Sequence, residues 1–284
     1  MKLLQAILIS FILWIISAFQ TLNAANVPYG NNPATGKTIV LNGVKHYYET
    51  YGSGKPMLLI HGNLTGISGW GAQIEYFSKT HKVYAIDCRA RGKSDIGKDT
   101  LTYEGMAHDM AEFISQLKLD SVSVIGKSDG AIVALIMGYK YSQHLKNIVA
   151  FSANIRPDSS ALISTSIKEI HEERAMAEKK ISEGDTSNAT KVLAWRNRLM
   201  EFHPHITGEM LSQIKIPVLI LTADRDLVKL THSIEIYQAI PLAHLCVLNG
   251  ANHFVAKQDP NAFNLSVMKF LQEGYRDEQF RFKR

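Results

Sequence analysis

The stretch Ser121-Val-Ser-Val-Ile-Gly126-Lys127-Ser128-Asp129-Gly130-Ala131 constrains the fold of this chain more than any other. Ser121 to Ile125, with Val122, Val124 and Ile125, reads as a buried strand. Asp129 to Tyr141 continues as a helix. The chain passes from one to the other through Gly-x-Ser-x-Gly. In a turn that tight, a Cβ at Gly126 or Gly130 would strike the neighbouring strand or helix. The serine between them is pushed outward, and its hydroxyl comes to a helix N-terminus, where aligned peptide dipoles favour negative charge. Ser128 is therefore a candidate nucleophile on a strand–turn–helix unit.

The rest of the chain repeats that alternation. Lys37 to Leu41 and Val44 to Tyr51 flank Asn42-Gly43, a two-residue hairpin signal. Pro56 to Ile60, Lys82 to Ile86, Asn147 to Phe151, Pro217 to Leu221 and His244 to Leu248 are further strand-like runs. Trp70 to Lys79 reads as a helix, and Tyr103 to Leu117 carries Met106, Met110, Phe113, Ile114 and Leu117 at helical spacing. Strands alternating with helices predict an α/β fold, a doubly wound, mostly parallel sheet of about eight strands with an antiparallel edge from the hairpin. Over about residues 154–215 the strand signal disappears, and Glu169 to Ile181 and Ala189 to Phe202 read as charged amphipathic helices. Such an insertion stands above the strand ends, where α/β folds bind ligands, and predicts a helical cap; ordinary packing helices are the alternative.

The first residues read as a segment apart from the fold. Lys2 precedes an apolar run from Leu3 to Phe19, broken only by Gln5, Ser10 and Ser17, and small residues follow at Ala24 and Ala25. This pattern predicts a secretory signal peptide over 1–24, with the folded domain at 25–284 and a periplasmic or secreted location. An uncleaved membrane anchor is the alternative, but the run is shorter than the roughly 20 residues of a bilayer span. No Cys lies nearby to carry a lipid. Cys88 and Cys246 are distant in sequence and read as buried thiols, neither a disulfide nor a metal site. The net charge of +5 comes from scattered basic residues, with no basic stripe and interleaved aromatics, so nucleic acid is not an expected partner. Asn63, Asn188 and Asn264 each begin an Asn-x-Ser/Thr sequence.

Several short motifs stand in a fixed order: Asn42-Gly43, His61-Gly62, Asp87-Cys-Arg89-Ala-Arg-Gly92-Lys-Ser94, the Ser128 turn, Ala223-Asp224-Arg225-Asp226 and Asn252-His253. In that order the chain resembles the α/β-hydrolase fold superfamily over nearly its whole length beyond the leader. The resemblance implies a Ser–acid–His arrangement: Ser128 as nucleophile, Asp226 as the acid after the Pro217 to Leu221 strand, and His253 as the base after the last strand. Asp224 is then a solvated or turn-capping residue. The resemblance also implies an oxyanion hole from the backbone N–H groups of Asn63 and Asp129.

Two departures from the superfamily pattern stand out. Ala90 occupies a position usually held by Gly in the Asp87 loop, which shapes that loop without entering the chemistry. Lys127 and Asp129 flank the nucleophile. With Ser at the centre of the turn, Asp129 is not itself a nucleophile. A Ser-Asp-Gly turn resembles the biphenyl-hydrolase-like branch, which includes enzymes cleaving esters of α-amino acids. Asp129 is thus a candidate site for a substrate ammonium, or a helix cap, or a partner of Lys127 or a cap residue. The implied activity is hydrolysis of a small-molecule ester without cofactor or metal. Amide cleavage, acyl transfer or a silent hydrolase-like binding protein remain alternatives. His203-Pro204-His205 has metal-like spacing but no accompanying carboxylate and reads as a loop.

Overall fold

Asn42 and Gly43 both take positive φ, 47° and 79°, as a tight hairpin between right-twisted strands requires. They join β1 (Gly36–Leu41) to β2 (Val44–Tyr51) in antiparallel register. The computed structural model describes residues 27–98 and 100–273, so the leader expected at 1–24 lies outside the described residues. The elements that follow are β3 (Lys55–Ile60), α1 (Gly71–Phe77), β4 (His81–Ile86), α2 (Tyr103–Gln116), β5 (Val122–Lys127), α3 (Asp129–Lys140) and β6 (Leu145–Phe151). After them come α4 (Ser164–Ser182), α5 (Asn188–Phe202), α6 (Gly208–Ser212), β7 (Val218–Arg225), α7 (Leu230–Ala239), β8 (Ala243–Asn252), α8 (Val255–Gln258) and α9 (Pro260–Glu273).

The strands form one eight-stranded sheet in the order β1-β2-β4-β3-β5-β6-β7-β8. All pairings from β4 through β8 are parallel, while β2 meets β4 antiparallel. Each central strand is buried on both faces. Leu58 and Ile60 of β3 join Met110 and Phe113 of α2 and Leu135 of α3 on one side. Met57 and Leu59 join Ile74 and Phe77 of α1 and Phe263 and Val267 of α9 on the other. This two-residue alternation sends apolar side chains into both layers, hence the continuous apolar runs in the sequence. Asp129 through Gly138 are all buried, because α3 sits under the sheet centre with α2 beside it. Each large apolar side chain so buried contributes about 1.5–3 kcal/mol.

Between β6 and β7 the chain holds α4, α5 and α6 and no strand of the sheet. Helix α4 buries only Ser166 and Ala177. It packs chiefly on α5, to which it is tied by Arg174 bonding Glu201. Polar contacts thus replace much of the apolar stripe that joins α2 to the sheet. Cys88 is buried, but Cys246 is only partly so, contrary to the expectation, because β8 forms an edge of the sheet. Among the described residues no helix is long and apolar enough to cross a membrane.

Candidate active site

The parallel strands present their carboxyl ends along one edge of the sheet, and the residue just beyond each strand carries the polar chemistry. His61 follows β3, Asp87 follows β4, Ser128 follows β5, Ser152 follows β6, Asp226 follows β7 and His253 follows β8. Side chains more than a hundred residues apart in sequence therefore share one edge of an α/β sheet, where such folds bind ligands.

Ser128 has φ 52° and ψ −119°, a conformation that costs a non-glycine residue about 1–3 kcal/mol. Close packing on either side enforces it. A Cβ on Gly126 would lie 2.1 Å from the Gly130 carbonyl oxygen, and one on Gly130 would lie 2.1 Å from that of Ile60. The turn is pinned by the Ser128 N–H donating to the Phe151 carbonyl at 2.8 Å, and the Ser128 carbonyl accepts from the N–H groups of Ala131 and Ile132. A Cβ on Gly62 would stand 3.9 Å from Ser128 Oγ, so the His61-Gly62 turn runs directly beside the hydroxyl.

Asp226 and His253 meet at 2.8 Å between Oδ1 and Nδ1. An ionised carboxylate accepts only, so Nδ1 carries the proton in this pair and Nε2 is left as the basic nitrogen. The other carboxylate oxygen of Asp226 accepts from the Ser152 hydroxyl, and the Val228 N–H donates to Oδ1 at 3.3 Å. Burial pushes the Asp226 carboxyl up, but the bonds from His253 and Ser152 outweigh it and hold the group below its ordinary range. The imidazole stacks on Phe151, with centroids 6.3 Å apart. Phe151 therefore contacts both partners, its ring against His253 and its carbonyl on the Ser128 N–H. Asp224 is exposed and accepts from the N–H groups of Gly250 at 2.8 Å and Ala251 at 3.0 Å, which steadies the loop ahead of His253. A register shift between Ala223 and Arg225 separates the roles of the two aspartates.

The His61-Gly62 turn is buried and polar. His61 bonds the Gly62 carbonyl through Nδ1 at 2.7 Å, and its Nε2 accepts from the Cys88 N–H at 3.0 Å. Burial pushes the ring down to about 4, with the charges of Arg91 and Arg196 acting in the same direction, so it stays neutral near pH 7. Neither the N–H of Asn63 nor that of Asp129 finds an acceptor among the described residues; Asp129 opens α3, where helical N–H groups have no intrahelical partner.

Each oxygen of the Asp129 carboxylate has a partner. It accepts from the Tyr103 hydroxyl at 2.9 Å and pairs with Arg91 at 3.4 Å, and it does not pair with Lys127. Its pKa is raised by burial, against the opposing influence of Arg91 and Tyr103. Lys127 instead lies over the Phe254 ring at 5.4 Å. Asp87 holds its loop by accepting from the Ile67 and Lys93 N–H groups, and Ala90 takes φ 59° at the position where the superfamily favours Gly.

Sequence reasoning missed Ser152, Tyr103, Arg91 and Arg196. Arg91 bonds both the carbonyl and the side-chain oxygen of Asn63, and Arg196 reaches the same oxygen from α5. Nothing local marks them: an Arg on a charged helix has the appearance of a solvated residue. A cleft of about 880 Å³ between the Asn42-Gly43 turn, the Asp87 loop and the start of α5 touches this site only through Arg91. It does not contain Ser128, and its size gives it no claim on the chemistry.

A model of the alpha/beta hydrolase fold family matches residues 55–203. The serine hydrolase BPHL of Homo sapiens is 27% identical over 254 residues, covering 84% of this chain and 87% of the relative. The putative carbamate hydrolase RutD of Azorhizobium caulinodans is 25% identical over 254 residues, covering 80% and 95% respectively. Among solved structures, the enol-lactonase of Burkholderia xenovorans LB400 matches with a TM-score of 0.69 at 19% identity, over 83% of this chain and 100% of that one, a likeness of fold alone.

Proposed function

Because the chain belongs to the alpha/beta hydrolase fold family, we propose that it is a serine hydrolase that cleaves a carboxylic ester or related acyl bond through an acyl-enzyme on Ser128. The observation that carries this reading is the 2.8 Å bond between Asp226 and His253 at the sheet edge that also bears Ser128. His253 Nε2 takes the Ser128 proton as Oγ attacks the scissile carbonyl. The tetrahedral oxyanion accepts from the N–H groups of Asn63 and Asp129, each worth about a hundred- to a thousandfold in rate. His253 returns the proton to the departing alcohol. A water then gives its proton to His253 and attacks the acyl carbon, and Ser128 leaves with that proton. Asp226 holds the imidazole by its Nδ1–H and stabilises the imidazolium formed in each half.

Similarity to BPHL supports serine chemistry, and similarity to a putative carbamate hydrolase keeps carbamates among the related acyl bonds. The Arg91 and Tyr103 contacts on Asp129 favour a structural role for that residue over ammonium binding. A fluorophosphonate probe tests the assignment: wild type is labelled and Ser128→Ala is not. Labelling that survives the substitution refutes the nucleophile, and an unlabelled wild type counts against catalysis. We also propose export through removal of residues 1–24, which N-terminal sequencing of the exported protein checks.

A further inference from the structure

A group of charges lies between the cap and the oxyanion turn, with Arg91 and Asp129 buried and Arg196 half-buried. Arg91 and Asp129 neutralise one another, with the Tyr103 hydroxyl on the second carboxylate oxygen. Arg196 descends from α5 and donates through Nε to Asn63 Oδ1 at 2.5 Å. It forms no ion pair among the described residues. Burial and the repulsion of Arg91 bring Arg196 down to about 10, against the opposing attraction of Asp129 and Glu173, so it stays protonated near pH 7. Arg196 is half-buried, and the carboxylates of Asp129 and Glu173 act on it only from beyond ion-pair distance, so a bound anion would give it a direct partner.

A second observation points the same way. Asn63 is 5% exposed, and its Oδ1 accepts from both Arg91 and Arg196. Two cationic donors on one oxygen fix the amide orientation, because the reverse would set N–H groups against N–H groups. The Nδ2 group, thus directed away from the guanidiniums, is buried and has no acceptor. A buried donor without a partner calls for one in the occupied site. An ammonium group would find each Asp129 oxygen already bonded, with the Arg91 and Arg196 cations acting on that carboxylate.

We propose that Arg196 and the Asn63 side-chain amide bind a carboxylate of the substrate, so that the preferred esters carry a free carboxylate near the scissile carbonyl. Guanidinium N–H groups match a carboxylate in geometry, and the amide N–H adds a donor from the residue whose backbone serves the oxyanion. Recognition and chemistry would meet at Asn63. This inference rests on Ser128 as the acylated residue, and the test separates the two.

The experiment compares kcat/KM for monomethyl glutarate with that for methyl pentanoate in wild type, Arg196→Gln and Arg196→Lys. Wild type favours the anionic ester, and Arg196→Gln lowers that preference by about ten- to a hundredfold, mainly through KM. Arg196→Lys, which keeps the charge without the fork, retains part of it. An equal loss on both esters marks a merely structural role and overturns the inference, as does a wild-type preference for the neutral ester or for methyl esters of amino acids. Calorimetric binding to Ser128→Ala reads the same site without turnover. Monomethyl glutarate binding more tightly than dimethyl glutarate, with the difference lost on adding Arg196→Gln, supports the inference even if the hydrolytic reading fails. Equal affinities overturn it even if wild type is labelled by a fluorophosphonate.

Discussion

His61 makes the turn after β3 a source of pH-dependent stability. The ring is 2% exposed and both nitrogens are engaged, Nδ1 with the Gly62 carbonyl and Nε2 as acceptor for the Cys88 N–H. A second proton would have to enter on Nε2, opposite an N–H and in the field of two arginines. Folding therefore depresses the pKa from 6.5 to about 4. A group whose folded pKa lies lower binds its proton more readily when unfolded, so stability falls as pH drops from about 6.5 towards 4. At about 1.4 kcal/mol per unit, the full effect is about 3 kcal/mol, of which about 2 kcal/mol is lost between pH 7 and pH 4.5. Urea unfolding of wild type and His61→Gln at those two pH values isolates it, because other groups titrate in both proteins. The variant is less stable near pH 7, and the gap narrows by about 2 kcal/mol near pH 4.5. A gap that stays constant would show that the fold does not hold His61 neutral and would refute the reasoning.

Ser152→Ala removes the hydroxyl bonded to Asp226; kcat falls about tenfold with little change in KM, and Ser152→Thr recovers most of it in the same steady-state assay. Asp129→Asn strands Arg91 in the interior and lowers the unfolding free energy by about 3 kcal/mol, read by urea denaturation. Gly130→Ala would set a Cβ 2.1 Å from the Ile60 carbonyl oxygen and 2.7 Å from that of His61. A loss of about 3 kcal/mol or more, or no soluble protein, is expected, because both contacts are backbone. At Gly184 an added Cβ meets nothing within 4 Å, yet φ is 101°, so Gly184→Ala lowers stability by only about 1 kcal/mol, visible as a small drop in Tm.

The sheet was legible because its central strands are buried on both faces. Continuous runs such as Met57 to Ile60 admit few other arrangements, and Asn42-Gly43 marks its hairpin by φ demand alone. The last helix, α9, has no counterpart among the sequence expectations, although Phe263, Val267 and Phe270 stand at helical spacing and pack against the sheet. The cap was visible only as a missing strand signal. Its two long helices bury little apolar surface on each other and are joined by Arg174 and Glu201, so no strong apolar stripe announces their contact.

The site divides along the same line, between residues fixed by local geometry and residues recruited across the fold. Ser128 declares itself because the turn around it needs glycines at fixed offsets, and Asp226 and His253 follow because each stands just past a strand. The partners recruited across the fold carry no such constraint. Arg196 lies 133 positions from Asn63 and meets it only because α5 is laid over the sheet edge. Asp129 shows the consequence. From the sequence, a carboxylate beside the nucleophile invites a cationic substrate, but packing supplies Arg91 and Tyr103 to it first. With Arg91 and Tyr103 on that carboxylate, Arg196 is left with no ion pair among the described residues and donates to Asn63 instead. Under the proposed function, the sign of the substrate preference would be set by tertiary packing and the chemistry at Ser128 by the chain's local order.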